Sequence, residues 1–134
     1  MEQRLKIASR TDNLKLVEKF VDELSSNYEL EQDVYGNLLI ATLEATNNAM
    51  THGNKLNEER QVEVIFAKED NKILLTVSDE GTGFDFVNIP DPTAPENIEN
   101  MSGRGVYLMK RLSDSIEFEN NGSSVKMGFF LIKE

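Results

Sequence analysis

The fold prediction depends most on residues 44–53, which have the sequence EATNNAMTHG. A helix through this stretch places Glu44 and Asn48 four residues apart on one face, with Cβ atoms roughly 5–6 Å apart. A carboxylate oxygen and a carboxamide oxygen can then meet the same hydrated metal ion or reacting group. A solvated helix face is the plainer interpretation, because polar pairs at this spacing are common.

A second polar segment, residues 79–84 (DEGTGF), directly follows an apolar strand. Gly81 and Gly83 allow positive φ and a close approach of the backbone to a ligand. Asp79 lies at the strand end, where it can accept a hydrogen bond from the amino group of a base. An ordinary tight turn is the alternative. The segment is not an EF-hand loop, because its glycine and its closing glutamate are wrongly spaced.

The third segment, residues 102–109 (SGRGVYLM), opens a predicted helix. Gly103 and Gly105 flank Arg104, and glycines before a helix let backbone amides face an anion such as phosphate. A plain helix start with flexible glycines is the alternative. The segment is not a Rossmann fingerprint, because Leu108 stands at the third glycine position, and the chain contains no Walker A sequence.

Charge limits the kinds of partner. The 134-residue chain has 24 acidic and 14 basic residues, a net charge of −10 and 39% hydrophobic residues, which suits one domain with one core. The chain contains no long Lys/Arg run, so we expect no direct nucleic-acid partner. An acidic chain that binds nucleotide phosphates needs local positive potential from backbone amides, helix N-termini or a metal ion, and Mg²⁺ fits that need.

Cysteine and histidine usage excludes several other classes of site. The chain has no cysteine and one histidine, which argues against a disulfide framework and against a zinc centre built from thiolates or imidazoles. We see neither a signal peptide nor an apolar run long enough to cross a bilayer. The expectation is therefore a cytoplasmic protein without a membrane partner.

Hydrophobic periodicity predicts a strand first, then two helices, a hairpin, a long loop, a short helix and a second pair of strands. Thr11 or Asp12 is the predicted cap of the first helix, and Asn27 its end. Residues 84–102 contain three prolines and little periodicity, which is typical of a mobile lid. The order predicts an α/β two-layer sandwich with a mainly antiparallel, mixed sheet and helices on one face. The predicted elements are strand 5–9, helix 11–27, helix 30–52, strands 62–66 and 73–77, helix 106–113, and strands 115–119 and 124–132.

Taken together and in this order, the three segments resemble the N box and glycine boxes of the GHKL ATPase superfamily (gyrase, chaperone, histidine kinase and MutL), whose nucleotide-binding domain is the Bergerat fold. Within it they are most similar to the small anti-sigma factor serine/threonine kinases. The resemblance covers roughly residues 38–131. It implies ATP and Mg²⁺ as ligands.

The resemblance also implies a role for each site residue. Glu44 would be the general base toward a serine or threonine hydroxyl, Asn48 the Mg²⁺ ligand, and Asp79 the acceptor of the adenine amino group. His52 would lie at the rim of the phosphate site, although a histidine near a helix end is equally explained as a partner of the helix dipole. The remaining positions shape the adenine side (Gly81, Gly83), follow the phosphates (Gly103, Arg104, Gly105) or support the adenine pocket, where serines replace the family's threonines (Ser123, Ser124).

The function implied by the resemblance is that of an ATP-dependent anti-sigma regulator with serine/threonine kinase activity. Its substrate would be a small anti-sigma-antagonist protein of the STAS type, its other partner a sigma factor, and residues 2–10 an edge strand for homodimerisation or partner contact. An ATP-binding partner-switch module without kinase activity is the main alternative. A detached histidine-kinase catalytic domain is less favoured, because no phosphoacceptor helix pair precedes the first strand. A purely structural domain leaves the three segments unexplained.

Overall fold

The computed structural model describes residues 2–81 and 101–132, and of residues 101–104 and 121 it describes the backbone alone. Within these ranges the chain forms five strands and three main helices. They are β1 (Glu2–Ala8), α1 (Leu14–Asn27), α2 (Gln32–Asn48), which continues into a π-helical turn (Ala49–Gly53), β2 (Gln61–Glu69), β3 (Lys72–Ser78), α3 (Met101–Leu112), β4 (Ser115–Glu119) and β5 (Ser124–Phe130).

The five strands form one sheet in the order β1-β2-β3-β5-β4, and each of the four neighbouring pairs is antiparallel. The β2–β3 hairpin has the predicted pairing, with Val64 opposite Val77 and Phe66 opposite Leu75. Asp70, in the turn that joins these strands, has a φ of 48°. The predicted α/β sandwich with a mainly antiparallel sheet is confirmed. The strands described here include no parallel pair, so the prediction of a mixed sheet was wrong for this part of the sheet.

Apolar and polar residues alternate along β2 and β3, so one face of the sheet is buried. Phe66, Leu75 and Met127 are fully buried on it, beneath Leu24 of α1 and Leu38 of α2. Removing side chains of this size from water contributes roughly 1.5–3 kcal/mol each. The helices therefore cover one face, as predicted, and the ends of β3 and β5 meet α2 and α3 at one edge of the core.

Several element boundaries differ from the predictions. The chain enters α1 through a 3-10 turn, Thr11–Asn13, and Asn13 directs its side-chain amide to the carbonyl of Ala8 (3.0 Å) instead of capping the helix. Strand β5 ends at Phe130, because the side chain of Asn71 bonds both the N–H (2.9 Å) and the carbonyl (2.8 Å) of Ile132.

The last helix begins earlier than predicted. The helix was predicted to start after Gly105, because a glycine weakens a helix by roughly 0.5–1 kcal/mol. In the structure, α3 starts at Met101. The last two residues of the predicted lid, 101 and 102, therefore belong to α3, and its remainder lies outside the described residues. No helix in the described ranges is long and apolar enough to cross a membrane.

Candidate functional site

A small cavity lies where α2, its π-helical turn and α3 meet the ends of β3 and β5. It has room for roughly one water molecule, about 20 Å³, so a larger ligand needs its lining side chains to move apart. Its lining residues are Ala45, Asn48, Ala49, His52, Gly53, Val77, Asp79, Met109, Phe118, Gly122, Ser123 and Val125.

Asp79 anchors one end of this cleft. Its backbone N–H donates to the carbonyl of Ser123 (2.8 Å), and its carboxylate accepts the N–H of Gly81 (2.8 Å). Burial raises the pKa of Asp79 above its ordinary value, while the Gly81 hydrogen bond and the charge of Arg60 act in the opposite direction. Asp79 is thus a half-buried hydrogen-bond acceptor held in place through its own backbone.

Two glycines enclose the carboxylate of Asp79. A Cβ on Gly53 would overlap the carboxylate, and a Cβ on Gly81 would overlap the carbonyl of Gly53. Gly53 reaches this position through the π-helical turn, in which the N–H of Asn54 bonds the carbonyl of Ala49 (2.8 Å). Such single π turns often occur at functional sites. Both positions therefore require glycine for close packing.

Glu44 and Asn48 lie one turn apart on α2 and are half-buried, and Asn48 also lines the cleft. Both face Gly105 of α3: a Cβ built on Gly105 would be 3.3 Å from Glu44 Oε2 and 3.5 Å from Asn48 Oδ1. The first and third sequence segments thus meet in space, and two oxygens point at one place.

This donor set fits Mg²⁺. The ion prefers oxygen ligands, and proteins often bind it through one or two side chains together with substrate phosphates. The described residues contain no group of three or more His, Cys, Asp and Glu that could hold a metal by itself. A single amide ligand from Asn48 agrees with a metal that is shared with a nucleotide.

The remaining predicted site residues are only partly brought together. His52 is exposed and lines the cleft, as does Ser123. Ser124 instead shares a hydrogen bond with Ser78 (2.9 Å), because it is the first residue of β5 and points to the opposite face of the sheet from Val125, which lines the cleft. Gly83 lies outside the described residues. Gly103 and Arg104 lie in the first turn of α3, where the backbone alone is described.

Sequence reasoning missed several residues of the site. Val77 was interpreted only as part of the strand 73–77 and Met109 only as part of the segment that opens the last helix, yet both line the cleft. Met109 follows Gly105 by four residues, a spacing that places the two on one face of α3 and could have identified it. Asn54 was interpreted only as a stop signal after the helix, but its side chain bonds the backbone next to Asp79.

Comparisons with known proteins find matches along almost the whole chain. The profile of the histidine kinase-like ATPase domain matches residues 7–129. The chain is 26% identical over 134 residues to the serine-protein kinase RsbW of Bacillus subtilis (strain 168), covering 95% of this chain and 84% of that protein. It is 27% identical over 137 residues to the RsbW of Bacillus licheniformis, covering 97% and 86%.

A solved structure is similar in fold. It contains the RsbU and RsbW domains of a Mycobacterium tuberculosis protein, and it matches this chain with a TM-score of 0.70 at 14% identity. The match covers all of this chain and 33% of that one, so this chain spans a third of the solved chain's length.

Proposed function

Because the chain belongs to the histidine kinase-like ATPase domain family, we propose that it binds ATP with Mg²⁺ and phosphorylates a serine or threonine on a small anti-sigma-antagonist protein of the STAS type. The observation that carries the proposal is the pairing of Glu44 with Asn48 against Gly105, beside a cleft that Asn48 and Asp79 both line.

The base of the nucleotide belongs at the Asp79 end. The Asp79 carboxylate accepts hydrogen bonds, and the adenine amino group donates them. Val77, Met109 and Phe118 supply apolar surface for the faces and edges of a ring. Guanine carries a carbonyl oxygen where adenine has its amino group, so it would meet the carboxylate with a second acceptor. The site should therefore prefer ATP to GTP.

The chemistry belongs at the Glu44 end. The substrate hydroxyl oxygen bonds the γ-phosphorus, the bond from that phosphorus to the bridging oxygen of ADP breaks, and ADP leaves with the electron pair. Glu44 Oε2 accepts the hydroxyl proton, and it must lie within hydrogen-bond reach of that hydroxyl. Asn48 would hold a bound Mg²⁺, and the ion would supply the charge neutralisation that phosphoryl transfer requires.

The partners follow from the relatives. Proteins named serine-protein kinase RsbW are similar along almost the whole of this chain, which supports a regulatory kinase as the leading function. A sigma factor, an antagonist protein or both would then bind the chain in the cytoplasm. Strand β1 pairs with β2 and lies at one edge of the sheet order, which makes it the proposed contact for a homodimer or a partner.

The test is single-turnover phosphorylation with purified protein, labelled Mg·ATP and the STAS-type proteins encoded in the same genome. Glu44→Gln keeps the size of the side chain but removes the basic oxygen, so transfer should fall by about 10²–10⁴-fold while ATP affinity persists. The control is Glu69→Gln, exposed at the far end of β2, which should transfer at the wild-type rate.

Two outcomes would contradict the kinase assignment. Transfer by Glu44→Gln at the wild-type rate would remove Glu44 as the base. If the wild type binds ATP and a partner but phosphorylates none of its partners, the chain is a nucleotide-dependent binding module instead.

A further inference from the structure

Asn54 is a buried polar residue to which neither the family resemblance nor the proposed mechanism assigns a role. It directly follows the π-helical turn, and 1% of its surface is exposed. Its Nδ2 donates to the hydroxyl of Ser9 (2.9 Å) and to the carbonyl of Gln61 (3.1 Å), while its Oδ1 accepts the backbone N–H of Glu80 (2.8 Å). One side chain thus joins the end of β1, the start of β2 and the segment after β3.

These hydrogen bonds close a ring. The N–H of Gln61 donates to the carboxylate of Glu80 (2.5 Å), and the N–H of Glu80 donates to Asn54, whose amide returns to the carbonyl of Gln61. A buried donor or acceptor that loses its partner destabilises the fold. A ring with all its members bonded therefore resists displacement of any one of them.

The ring lies beside the base-recognition end of the cleft. Gly53 packs against the carboxylate of Asp79, and the next residue, Asn54, bonds the residue after Asp79. The last residue of the π-helical turn and the residue that follows it therefore dock on two consecutive residues after β3. Asn54 follows Gly53 in the chain, and Glu80 follows Asp79. The Asn54–Glu80 hydrogen bond therefore sets the distance between Gly53 and the Asp79 carboxylate.

We propose that Asn54 is a positioning residue for base selection, holding the Asp79 segment against Gly53 so that the carboxylate discriminates adenine from guanine. The inference rests on the proposed function in one respect, because it takes Asp79 as the acceptor of the adenine amino group. Asn54 acts through Asp79 and does not itself touch the base.

The variants separate positioning from a general contribution to stability. Asn54→Ala removes the acceptor for the Glu80 N–H. Asn54→Asp keeps an acceptor at Oδ1 for the Glu80 N–H but loses the donor to the Ser9 hydroxyl and the Gln61 carbonyl, so it isolates the bond to Glu80. Ser9→Ala is the matched control, because it damages the same network while leaving the Asn54–Glu80 bond intact. All three should lower the melting temperature, so melting alone does not distinguish them.

The measurement is the affinity of each variant for Mg·ATP and Mg·GTP by calorimetry, expressed as a ratio. Asn54→Ala should reduce the ATP-over-GTP preference by about tenfold, as expected for the loss of one buried hydrogen bond. Asn54→Asp and Ser9→Ala should keep the wild-type preference, since a new charge at residue 54 affects both nucleotides alike. If Asn54→Ala does not fold, Asn54→Ser, too short to bond both Gln61 and Glu80, replaces it with the same expectation.

Amide hydrogen exchange without nucleotide provides a second readout. The Glu80 N–H should exchange about tenfold faster in Asn54→Ala and at the wild-type rate in Ser9→Ala. An unchanged nucleotide preference in Asn54→Ala would overturn the proposal even if that variant melts early. Failure of the proposed function is visible separately, as equal affinity of the wild-type protein for ATP and GTP.

Discussion

The two ends of the proposed site, Asp79 at the base end and Glu44 with Asn48 at the chemistry end, are built by different means. At the base end, Asp79 is fixed by the carbonyl of Ser123, the N–H of Gly81 and the neighbouring Asn54 ring. At the chemistry end, Glu44 and Asn48 occupy adjacent turns of α2 and face α3 across Gly105. Hydrogen bonds between distant segments of the chain fix the position of Asp79. The packing of α2 against α3 fixes the positions of Glu44 and Asn48.

This difference indicates what each end contributes. A preorganised acceptor loses little freedom when the base binds, which favours affinity and selectivity. The position of the reacting groups depends on α3, which follows residues 82–100 directly along the chain. Substitutions at the base end should therefore change nucleotide affinity, and those at Glu44 and Gly105 should change the rate of transfer.

The largest effect on affinity is expected at Gly53. A methyl group there overlaps the Asp79 carboxylate, so Gly53→Ala must displace Asp79. ATP affinity should fall by about 10–100-fold, and stability by roughly 1–3 kcal/mol, as for other overpacked sites. Calorimetry and thermal unfolding measure the two quantities.

Gly36→Ala is the matched control for Gly53→Ala. Gly36 lies within α2, and a Cβ there meets no atom within 4 Å. Alanine should raise stability by roughly 0.5–1 kcal/mol through helix propensity and leave ATP affinity unchanged. Wild-type ATP affinity in Gly53→Ala would show that Asp79 is not held as the geometry indicates.

The next effect is the pH dependence of adenosine binding. Burial raises the pKa of Asp79 in the free protein, and a bonded adenine amino group would favour the carboxylate and lower that pKa again. Affinity should be full above the raised pKa and fall as the pH decreases through it, by at most about tenfold per pH unit. Adenosine is used because the terminal phosphate of a nucleotide titrates near pH 6.

Asp79→Asn is the control for this dependence, since its weaker adenosine binding should lack the Asp79 titration. The same raised pKa makes ionised Asp79 a cost to folding: its contribution to stability is full below the unfolded-state pKa and is lost as the pH rises through the folded-state pKa. Unliganded Asp79→Asn should therefore melt above the wild type at neutral pH and lose this advantage in acid. The same titration in wild type and Asp79→Asn would assign it to another group.

The smallest effect is expected at Gly105. A methyl group there would lie 3.3 Å from Glu44 Oε2, so the carboxylate must shift by a few tenths of an ångström. Gly105→Ala should slow phosphoryl transfer by about 3–10-fold and leave ATP affinity unchanged. Single-turnover kinetics beside calorimetry separates the two quantities. Loss of affinity without loss of rate would reverse the assignment of the two ends.

Short-range patterns predicted most of the fold. The β2–β3 hairpin follows from strict alternation, which gives Val64 and Val77 the same buried face, and the buried stripe of α1 follows from helical spacing. The start of α3 was wrong because helix propensity penalises glycine, whereas close packing against Glu44 requires a small residue at position 105.

The least predictable parts of the site depend on contacts between distant segments. Gly53 and Asp79 are far apart in sequence, and no local pattern shows that their atoms meet. The π-helical turn that aligns them looks like the end of an ordinary helix in the sequence, so Asn54 looks like a stop signal. Ser123 and Ser124 form one pair in the sequence, but Ser123 precedes β5 and lines the cleft, whereas Ser124 begins β5 and bonds Ser78.

Calorimetry of nucleotide binding with and without Mg²⁺ tests most directly whether one cleft holds adenine at Asp79 and magnesium-bound phosphates at Asn48. The wild type should bind ATP with Mg²⁺, more weakly without it, and should bind GTP more weakly than ATP. Asn48→Ala should lose most of the gain from Mg²⁺, because the ion would lose its protein ligand. No heat at about millimolar ATP, or the same gain from Mg²⁺ in wild type and Asn48→Ala, would contradict the account.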